Sequence, residues 1–181
     1  MINNNKIMQK TKITHMDKEK IHAYLVFFES LIKETDNHLI SWHFFDKMSL
    51  IKKIKRAHSI CKQFENQQNS VRYVIMLDDV MIGNIKLTWN QQNKMLHIGE
   101  FSVGVLNKCQ WLWLWTKLMD YMIQRSQAND LIQKIYWRVR IDNQPAISLY
   151  TKFWFSIEWT LQGEMQTDDW FVDMYRVTRR L

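Results

Sequence analysis

The spacing of apolar residues changes near residue 110, and this change restricts the chain to a fold that contains both sheet and helix. Residues 71–77 and 80–88 are rich in strand-forming residues and flank Asp78-Asp79, which favours a hairpin turn. Residues 95–106 predict a third, long strand of the same meander. From 112 to 128, apolar residues recur at helical spacing. The pattern therefore predicts a three-stranded meander followed by an amphipathic helix.

Further elements are predicted on both sides of this segment. Asp17 can cap a helix whose apolar face comprises Ile21, Tyr24, Leu25, Phe28, Leu31 and Ile32. A second helix is expected from about Ser49, followed by a polar loop at 65–70. Residues 135–141 predict a strand, and Asn143 can cap a short helix with Pro145 in its first turn. The last predicted elements are a strand pair at 155–161 and 170–177. Together they predict a mixed α/β fold.

Length and composition exclude several classes of protein. A chain of 181 residues suits one domain, expected to span residues 1–181. Its longest apolar run, 23–28, is far shorter than the roughly 20 residues of a membrane-spanning helix. Residues 1–12 lack the apolar core of a secretory signal, and two cysteines are too few for a disulfide framework or a zinc site. A cytoplasmic protein is therefore expected.

The formal net charge of +7 is spread along the chain. Its one modest cluster, Lys52, Lys53, Lys55 and Arg56, is interpreted as a solvated helix face. A nucleic-acid partner is therefore not expected. An excess of positive charge also suits a ligand that carries several phosphates.

Two short motifs carry the strongest functional signal. The first, Gln110-Trp111-Leu112-Trp113-Leu114-Trp115, opens the helix that follows the third strand. The second runs from Asn143 to Phe155 and contains Ala146, Leu149, Tyr150, Lys152 and Trp154. With glycine at 111, 113, 115 and 154, the motifs read Q-G-x-G-x-G and N-x-x-A-x-x-L-Y-x-K-x-G-F. In that form, residues 70–178 resemble the GNAT superfamily of N-acetyltransferases. The resemblance implies a GNAT-type sheet, splayed at its centre and flanked by helices, and acetyl transfer from acetyl-CoA to a primary amine.

The resemblance also implies how coenzyme A is bound. Backbone amides after the central strand meet the pyrophosphate at a helix N-terminus, where unsatisfied N–H groups favour anions. Glycine lets the phosphate oxygens approach the main chain closely. The main chain of Val103 and Val105 is expected to bind the pantetheine arm. The implied cofactor-binding residues are Val103, Gly104, Val105, Gln110, Trp111, Leu112, Trp113, Leu114, Trp115, Thr116, Asn143 and Lys152. No metal is implied.

Two residues are candidates for catalysis. Glu100 lies five residues before Val105, a position that resembles the general base of the phosphinothricin-type acetyltransferases. A carboxylate there can take the proton of the acceptor's ammonium group through water. Tyr150 occupies the place of the family's general acid and is expected to protonate the departing thiolate, while the Val105 N–H is expected to meet the oxyanion. A glutamate satisfied by a neighbouring lysine or a backbone amide, and a core tyrosine, are the alternative interpretations.

The acceptor is not defined by the sequence. Relatives acetylate small amines, amino acids, polyamines and protein N-termini, and the fold does not choose among them. A homodimer is common among them. Residues 34–36 can line the acceptor pocket or form a solvated helix end.

Tryptophan is abnormally common in this chain and glycine abnormally rare. There are nine Trp and four Gly, whereas glycine alone usually makes up about 7% of a protein. Tryptophan stands where relatives carry glycine at 111, 113, 115, 154, 159 and 170. One hypothesis is that UGA codons meaning glycine in the source organism were translated as tryptophan. If the indoles are genuine, the alternative function is a catalytically inactive GNAT-fold binding module whose coenzyme A loop is blocked.

Overall fold

The computed structural model describes residues 10–34, 59, 69–89, 91–107, 109, 113–167 and 170–181. They form a seven-stranded sheet in the order β1-β2-β3-β4-β5-β7-β6. Its strands are β1 (Thr11–His15), β2 (Ser70–Leu77), β3 (Val80–Trp89), β4 (Ile98–Val105), β5 (Lys134–Arg140), β6 (Ser156–Gln166) and β7 (Phe171–Arg180). The described α-helices are α1 (Ile21–Glu34), α2 (Leu114–Gln127) and α3 (Gln144–Lys152). The predicted mixed α/β class, a sheet flanked by helices, is confirmed.

The chain divides into two compact units. The first comprises residues 1–86 and 103–118, and the second comprises residues 87–102 and 119–181. The expected single domain therefore stays a prediction. Within the described ranges, every helix is too short or too polar to cross a membrane.

The predicted meander is confirmed with changed limits. Asp78 lies in the turn between β2 and β3 with φ of 51°, a left-handed value that Asp tolerates better than most residues. β4 starts at Ile98 rather than at residue 95, because Asn93–Met95 form one turn of 3-10 helix. The helix predicted next is α2. Four residues of its predicted apolar face are buried, and the fifth, Trp115, is half-buried; the four are Leu118, Met119, Met122 and Ile123.

The strand β1 was not predicted from the sequence. It pairs antiparallel with β2, from Thr11 opposite Leu77 to His15 opposite Tyr73. Its sequence, T-K-I-T-H, contains β-branched residues that favour strands but only one large apolar side chain, so it shows no alternation of apolar and polar residues. The partner strand supplies the hydrogen bonds that define β1, and a partner cannot be identified from local pattern.

The first unit is built around α1. Asp17 accepts a hydrogen bond from the Lys20 N–H (3.1 Å) and caps a 3-10 turn that leads into the helix. Phe27, absent from the predicted face, is buried, whereas Leu25 and Phe28 are only half-buried. The predicted face is therefore rotated slightly in the structure. The core of this unit consists of Met16, Tyr24, Phe27, Leu31, Val74, Met81 and Leu106.

The second unit contains the final strand pair, which is longer than predicted. β5 pairs antiparallel with β7 from Lys134–Arg180 to Arg140–Met174, and β6 pairs antiparallel with β7 on its other side. Alternation buries one face of these strands, on which Ile135, Val139 and Val177 lie. On the opposite face, Arg138 and Arg176 lie across from each other, whereas Met174 and Thr178 of β7 are buried. Three predicted features lie outside the described residues: the helix from Ser49, most of the loop at 65–70, and the lysine cluster at 52–56.

Candidate active site

The site is organised by the short pairing between β4 and β5. In the described residues, these parallel strands pair only from Ile98 opposite Lys134 to Glu100 opposite Tyr136. β4 continues to Val105 and β5 continues to Arg140. The paired segment therefore ends at Glu100, the residue that the sequence singled out as a candidate base.

The Glu100 carboxylate is held by two side chains of β5. The Tyr136 hydroxyl donates to Oε2 (3.0 Å) and Nη2 of Arg138 donates to Oε1 (3.1 Å). Alternation along β5 puts residues 136 and 138 on the face that Glu100 also occupies. About a third of the Glu100 side chain is exposed. The carboxylate thus has partners, although they are a tyrosine and an arginine rather than the lysine or backbone amide considered from the sequence.

Arg138 extends the cluster to β6. Its Nη1 donates to Oε1 of Glu164 (2.7 Å), so one guanidinium connects two carboxylates. Burial lowers the pKa of Arg138, but the Glu164 hydrogen bond and the charge of Glu100 outweigh it, and the net pKa is raised. Arg138 therefore stays charged and fixes the carboxylate of Glu100 in one orientation.

Tyr136 is the neutral member of this cluster. Its pKa is raised, first by burial and then by the negative charge and hydrogen bond of Glu100. The guanidinium carbon of Arg176 lies 4.0 Å from the centre of the Tyr136 ring. Glu158 in turn contacts Arg176 (3.4 Å) and pairs with Lys134. Tyr136 therefore keeps its proton at neutral pH and donates a hydrogen bond to Glu100. A carboxylate with two donors keeps further lone pairs for a substrate or water.

Tyr150 lies in an aromatic cluster of the second unit. Its ring centre is 5.9 Å from the ring centres of both Phe101 and Phe155. Burial raises the pKa of Tyr150, so the hydroxyl keeps its proton. Within the part of the chain that the structure describes, no group hydrogen-bonds this hydroxyl. The residue is a buried phenol that can donate a proton.

The predicted pantetheine segment ends β4 in the first unit. Val103, Gly104 and Val105 are all buried. A Cβ on Gly104 would lie 2.6 Å from Leu31 Cδ2, so α1 approaches β4 more closely here than a side chain would allow. Glycine fits position 104 because it has no Cβ to meet Leu31.

The predicted pyrophosphate loop is described only from residue 113 onward. Gln110, Trp111 and Leu112 lie outside the described residues. Trp113 precedes α2, and its carbonyl accepts the first helical hydrogen bond from the Lys117 N–H (3.1 Å). Its φ of 51° is left-handed, and the next residue, Leu114, is helical. This combination of conformations can turn successive N–H groups towards a common anion.

The tryptophan side chain at 113 does not fit the binding of an anion. The indole is partly exposed, and the ammonium of Lys117 lies 5.4 Å from its ring centre. A left-handed residue that approaches phosphate closely should lack a Cβ. Leu114 is buried, and Thr116 is half-buried in the first turn of α2. The backbone at 113 and 114 therefore suits an anion, whereas the side chain at 113 does not.

Asn143 and Lys152 mark the two ends of α3. The Asn143 Oδ1 accepts a hydrogen bond from the Ala146 N–H (3.3 Å), and Pro145 lies in the first turn. The predicted cap is confirmed, and the cap occupies the amide oxygen that could otherwise accept from a ligand. Lys152 is exposed in the last turn. Neither residue's predicted contact with coenzyme A is tested by this geometry.

Glu34 has a structural contact at the end of α1. Its carboxylate accepts a hydrogen bond from the Asn107 N–H (2.6 Å), and Nδ2 of Asn107 donates to the Glu34 carbonyl (3.1 Å). These bonds tie the end of α1 to the segment after β4. Residues 35 and 36 lie outside the described residues.

The profile of the acetyltransferase (GNAT) family matches residues 32–155, more than half of the chain. The chain belongs to this family. The matched range includes the end of α1, the whole meander with Glu100, and α3 with Tyr150.

Individual relatives are similar at low sequence identity. The chain is 26% identical over 106 residues to the L-amino acid N-acetyltransferase AaaT of Escherichia coli (strain K12), an alignment that covers 59% of this chain and 65% of the relative. The structure of a GNAT-family acetyltransferase from Streptococcus pneumoniae superposes with a TM-score of 0.82 at 18% identity, over 94% of this chain and 99% of that chain. The yncA protein of Salmonella typhimurium, solved with acetyl-CoA, superposes with a TM-score of 0.76 at 14% identity, over 95% and 94%. The GNAT fold predicted from the sequence is confirmed.

Sequence analysis missed Tyr136 and Arg138 of this family member. Their signal was present as an alternating series on β5, in which Lys134, Tyr136, Arg138 and Arg140 occupy one face. The series shows that this face is polar, but the contact with Glu100 depends on the register between β4 and β5. That register is set by the sheet and not by either strand alone.

Proposed function

We propose that this protein, in the form with glycine at 111, 113, 115 and 154, transfers the acetyl group of acetyl-CoA directly to a primary amine while both substrates are bound. The observation that carries the proposal is the position of Glu100 at the end of the β4–β5 pairing, in a chain that belongs to an acetyltransferase family. About a third of the Glu100 side chain is exposed, so water and an acceptor can reach the carboxylate. The phosphinothricin-type branch remains part of the proposal.

The proposed reaction begins with removal of a proton from the acceptor's ammonium group. Glu100 accepts this proton through a water molecule, with a lone pair that its two hydrogen bonds leave available. Tyr136 and Arg138 hold the carboxylate in its orientation. The neutral amine then attacks the thioester carbonyl, and a tetrahedral intermediate forms. The backbone N–H of Val105 is the proposed donor to its oxyanion. Both substrates are held together, so proximity supplies much of the acceleration.

Collapse of the intermediate breaks the carbon–sulfur bond. Tyr150 is the proposed donor of a proton to the departing thiolate. Two observations support this role: burial keeps the phenol protonated, and no described group forms a hydrogen bond with its hydroxyl. As the amide forms, its nitrogen loses the extra proton, and this proton restores the Tyr150 phenol through solvent. The products are the N-acetylated acceptor and coenzyme A, and Glu100 releases to solvent the proton that it took from the ammonium group.

Free amino acids are the first acceptors to test. The relative AaaT is named as an L-amino acid N-acetyltransferase, and an amino acid carries a carboxylate beside the amine that reacts. Arg138 is a cation that donates a hydrogen bond to Glu100. A carboxylate of the acceptor can compete with Glu164 for this guanidinium, which would place the amine near the base.

The test measures the thiol released from acetyl-CoA in the presence of an amine panel. Two proteins are compared: this chain, and a variant with glycine at 111, 113, 115 and 154. We expect turnover from the glycine variant, and neither binding of acetyl-CoA nor thiol release by the chain that carries all four indoles, because a Cβ and indole at 111, 113 and 115 would keep phosphate oxygens away from the main chain. Absence of amine-dependent thiol release from both proteins would refute the proposed function.

Glu100→Gln in the glycine variant tests the base. Removal of a general base lowers the rate by about 10²–10⁴-fold, so kcat/KM should fall by that factor while the variant remains folded. Glu29→Gln is the matched control, because Glu29 forms an exposed ion pair with Lys33 on α1 and is not a member of the Glu100 cluster. An unchanged kcat/KM in Glu100→Gln would exclude Glu100 as the base.

A further inference from the structure

Two tryptophans lie in a backbone conformation that bulky residues rarely adopt. Trp113 has φ of 51° and Trp154 has φ of 63°. The other described residues with clearly positive φ are Asp78 and Gly163, whose residue types tolerate the left-handed region. A bulky side chain there is a genuine outlier. Both tryptophans are also positions at which the resemblance to the family places glycine.

The hydrogen bonds around Trp154 define a helix end that favours glycine independently of any family. The Phe155 N–H donates to the Tyr150 carbonyl (3.0 Å), and the Trp154 N–H donates to the Thr151 carbonyl (2.9 Å). This pair of bonds is a Schellman motif, in which the residue at position 154 must be left-handed and is usually glycine. The apolar contact that accompanies the motif is present between the rings of Tyr150 and Phe155. Every feature except the side chain of residue 154 agrees with a glycine.

The Trp154 indole buries too little surface to offset the cost of its left-handed backbone. Its side chain is 83% exposed, so it buries little apolar surface. A tryptophan retained for packing would be expected to lie in the core, as the half-buried Trp137 does against Phe101 (5.9 Å between ring centres). Packing therefore does not explain the residue at 154.

Trp113 lies at the start of α2, in the predicted phosphate loop. A residue that precedes a helix usually has an extended conformation, but Trp113 is left-handed. Only 36% of the side chain is exposed, and part of it lies under the Lys117 ammonium. The backbone suits an anion when no Cβ intervenes, an argument that rests on the proposed function.

We infer that residues 113 and 154 are glycine in the working polypeptide, and that these positions are encoded by UGA codons, written here as tryptophan, that the source cells decode as glycine. The excess of tryptophan and the deficit of glycine over the whole chain are the independent compositional support. The Schellman turn at 154 is assigned the glycine that its hydrogen bonds favour.

The first test separates the backbone from the indole. Trp154→Ala removes the indole but keeps a Cβ, whereas Trp154→Gly removes both. Because a left-handed conformation is unfavourable for a residue with a Cβ, the glycine variant should unfold at a temperature about 2–4 °C above the alanine variant. Trp159 is the matched control, since it is 66% exposed in β6 without a left-handed φ. There alanine should be the more stable variant, because glycine weakens a strand. An alanine variant at 154 as stable as the glycine variant would overturn the inference.

The second test reads the residues directly. Cleavage after lysine and arginine gives two peptides, residues 109–117 and 153–176, that contain six of the nine tryptophan positions. Mass spectrometry of the protein isolated from its source cells should find glycine at 113 and 154. Tryptophan at both positions would overturn the inference. Neither test involves acetyl-CoA, so a failure of acetyl transfer counts against the proposed function alone.

Discussion

Gly104 provides a direct test of how closely α1 packs on β4. A Cβ at this position would lie 2.6 Å from Leu31 Cδ2 and 3.4 Å from Asn84 Nδ2. Carbon atoms in contact prefer separations of about 3.5–4.0 Å, so the first contact is short by about an ångström. Leu31 is buried and belongs to the core of the first unit. Gly104→Ala must therefore displace Leu31 or move α1 away from the strand.

The expected cost follows from that displacement. Overpacking of a well-filled core typically lowers the free energy of unfolding by about 1–3 kcal/mol. For a chain of this length, each kcal/mol lowers the unfolding temperature by about 2–4 °C, so a fall of roughly 2–12 °C is expected. The measurement is thermal unfolding followed by circular dichroism, together with urea unfolding for the free energy.

A double-mutant cycle identifies Leu31 as the cause. Leu31→Ala alone should lower stability by about 2–5 kcal/mol, because it leaves a cavity. In the double variant the methyl group added at position 104 enters that cavity, so the two losses should fall short of additivity by about 1 kcal/mol or more. Gly83→Ala is the control, since its Cβ would meet its nearest neighbour, Val105 Cγ2, at 3.3 Å rather than at 2.6 Å, and Leu31 is not among its three nearest atoms. A stable Gly104→Ala variant, or strict additivity with Leu31→Ala, would refute the packing argument.

Two further outcomes are expected at the start of α3. Asn143→Ala removes the hydrogen bond to the Ala146 N–H and should lower the free energy of unfolding by about 1 kcal/mol. Asn143→Ser, which can still cap the helix, should retain most of that stability. Equal urea midpoints for wild type and Asn143→Ala would contradict the cap. The hydrogen bond from Arg140 lowers the pKa of Asp142 below its ordinary 3.8, so the ion pair stabilises the fold above that pH and loses its effect as the pH falls through the lower value of the folded state. Asp142→Asn should therefore be less stable than wild type near pH 7, by at most about 1 kcal/mol because Asp142 is largely exposed. The difference should vanish in strong acid. A difference in stability that persists in strong acid would contradict the contribution of this ion pair.

Local pattern was sufficient where each element carries its own signal. The Asp78-Asp79 turn, the buried face of α2 and the Asn143 cap all follow from residue spacing or from a side chain that bonds its own backbone. The position of Glu100 followed from family resemblance to the central strand. These features need no knowledge of what lies opposite them, which is why the sequence by itself determined the fold class and the candidate base.

The tertiary structure decided whatever depends on a partner. β1 exists because β2 pairs with it, and Phe27 is buried because α1 packs with a rotation that periodicity does not define. Tyr136 and Arg138 reach Glu100 through the register of two strands that are distant in sequence. The left-handed backbone of residues 113 and 154 likewise appears only in the folded chain, because φ is set by hydrogen bonds to neighbouring turns. The sequence placed tryptophan at six family glycine positions, and the fold supplied a physical reason for glycine at two of them, 113 and 154.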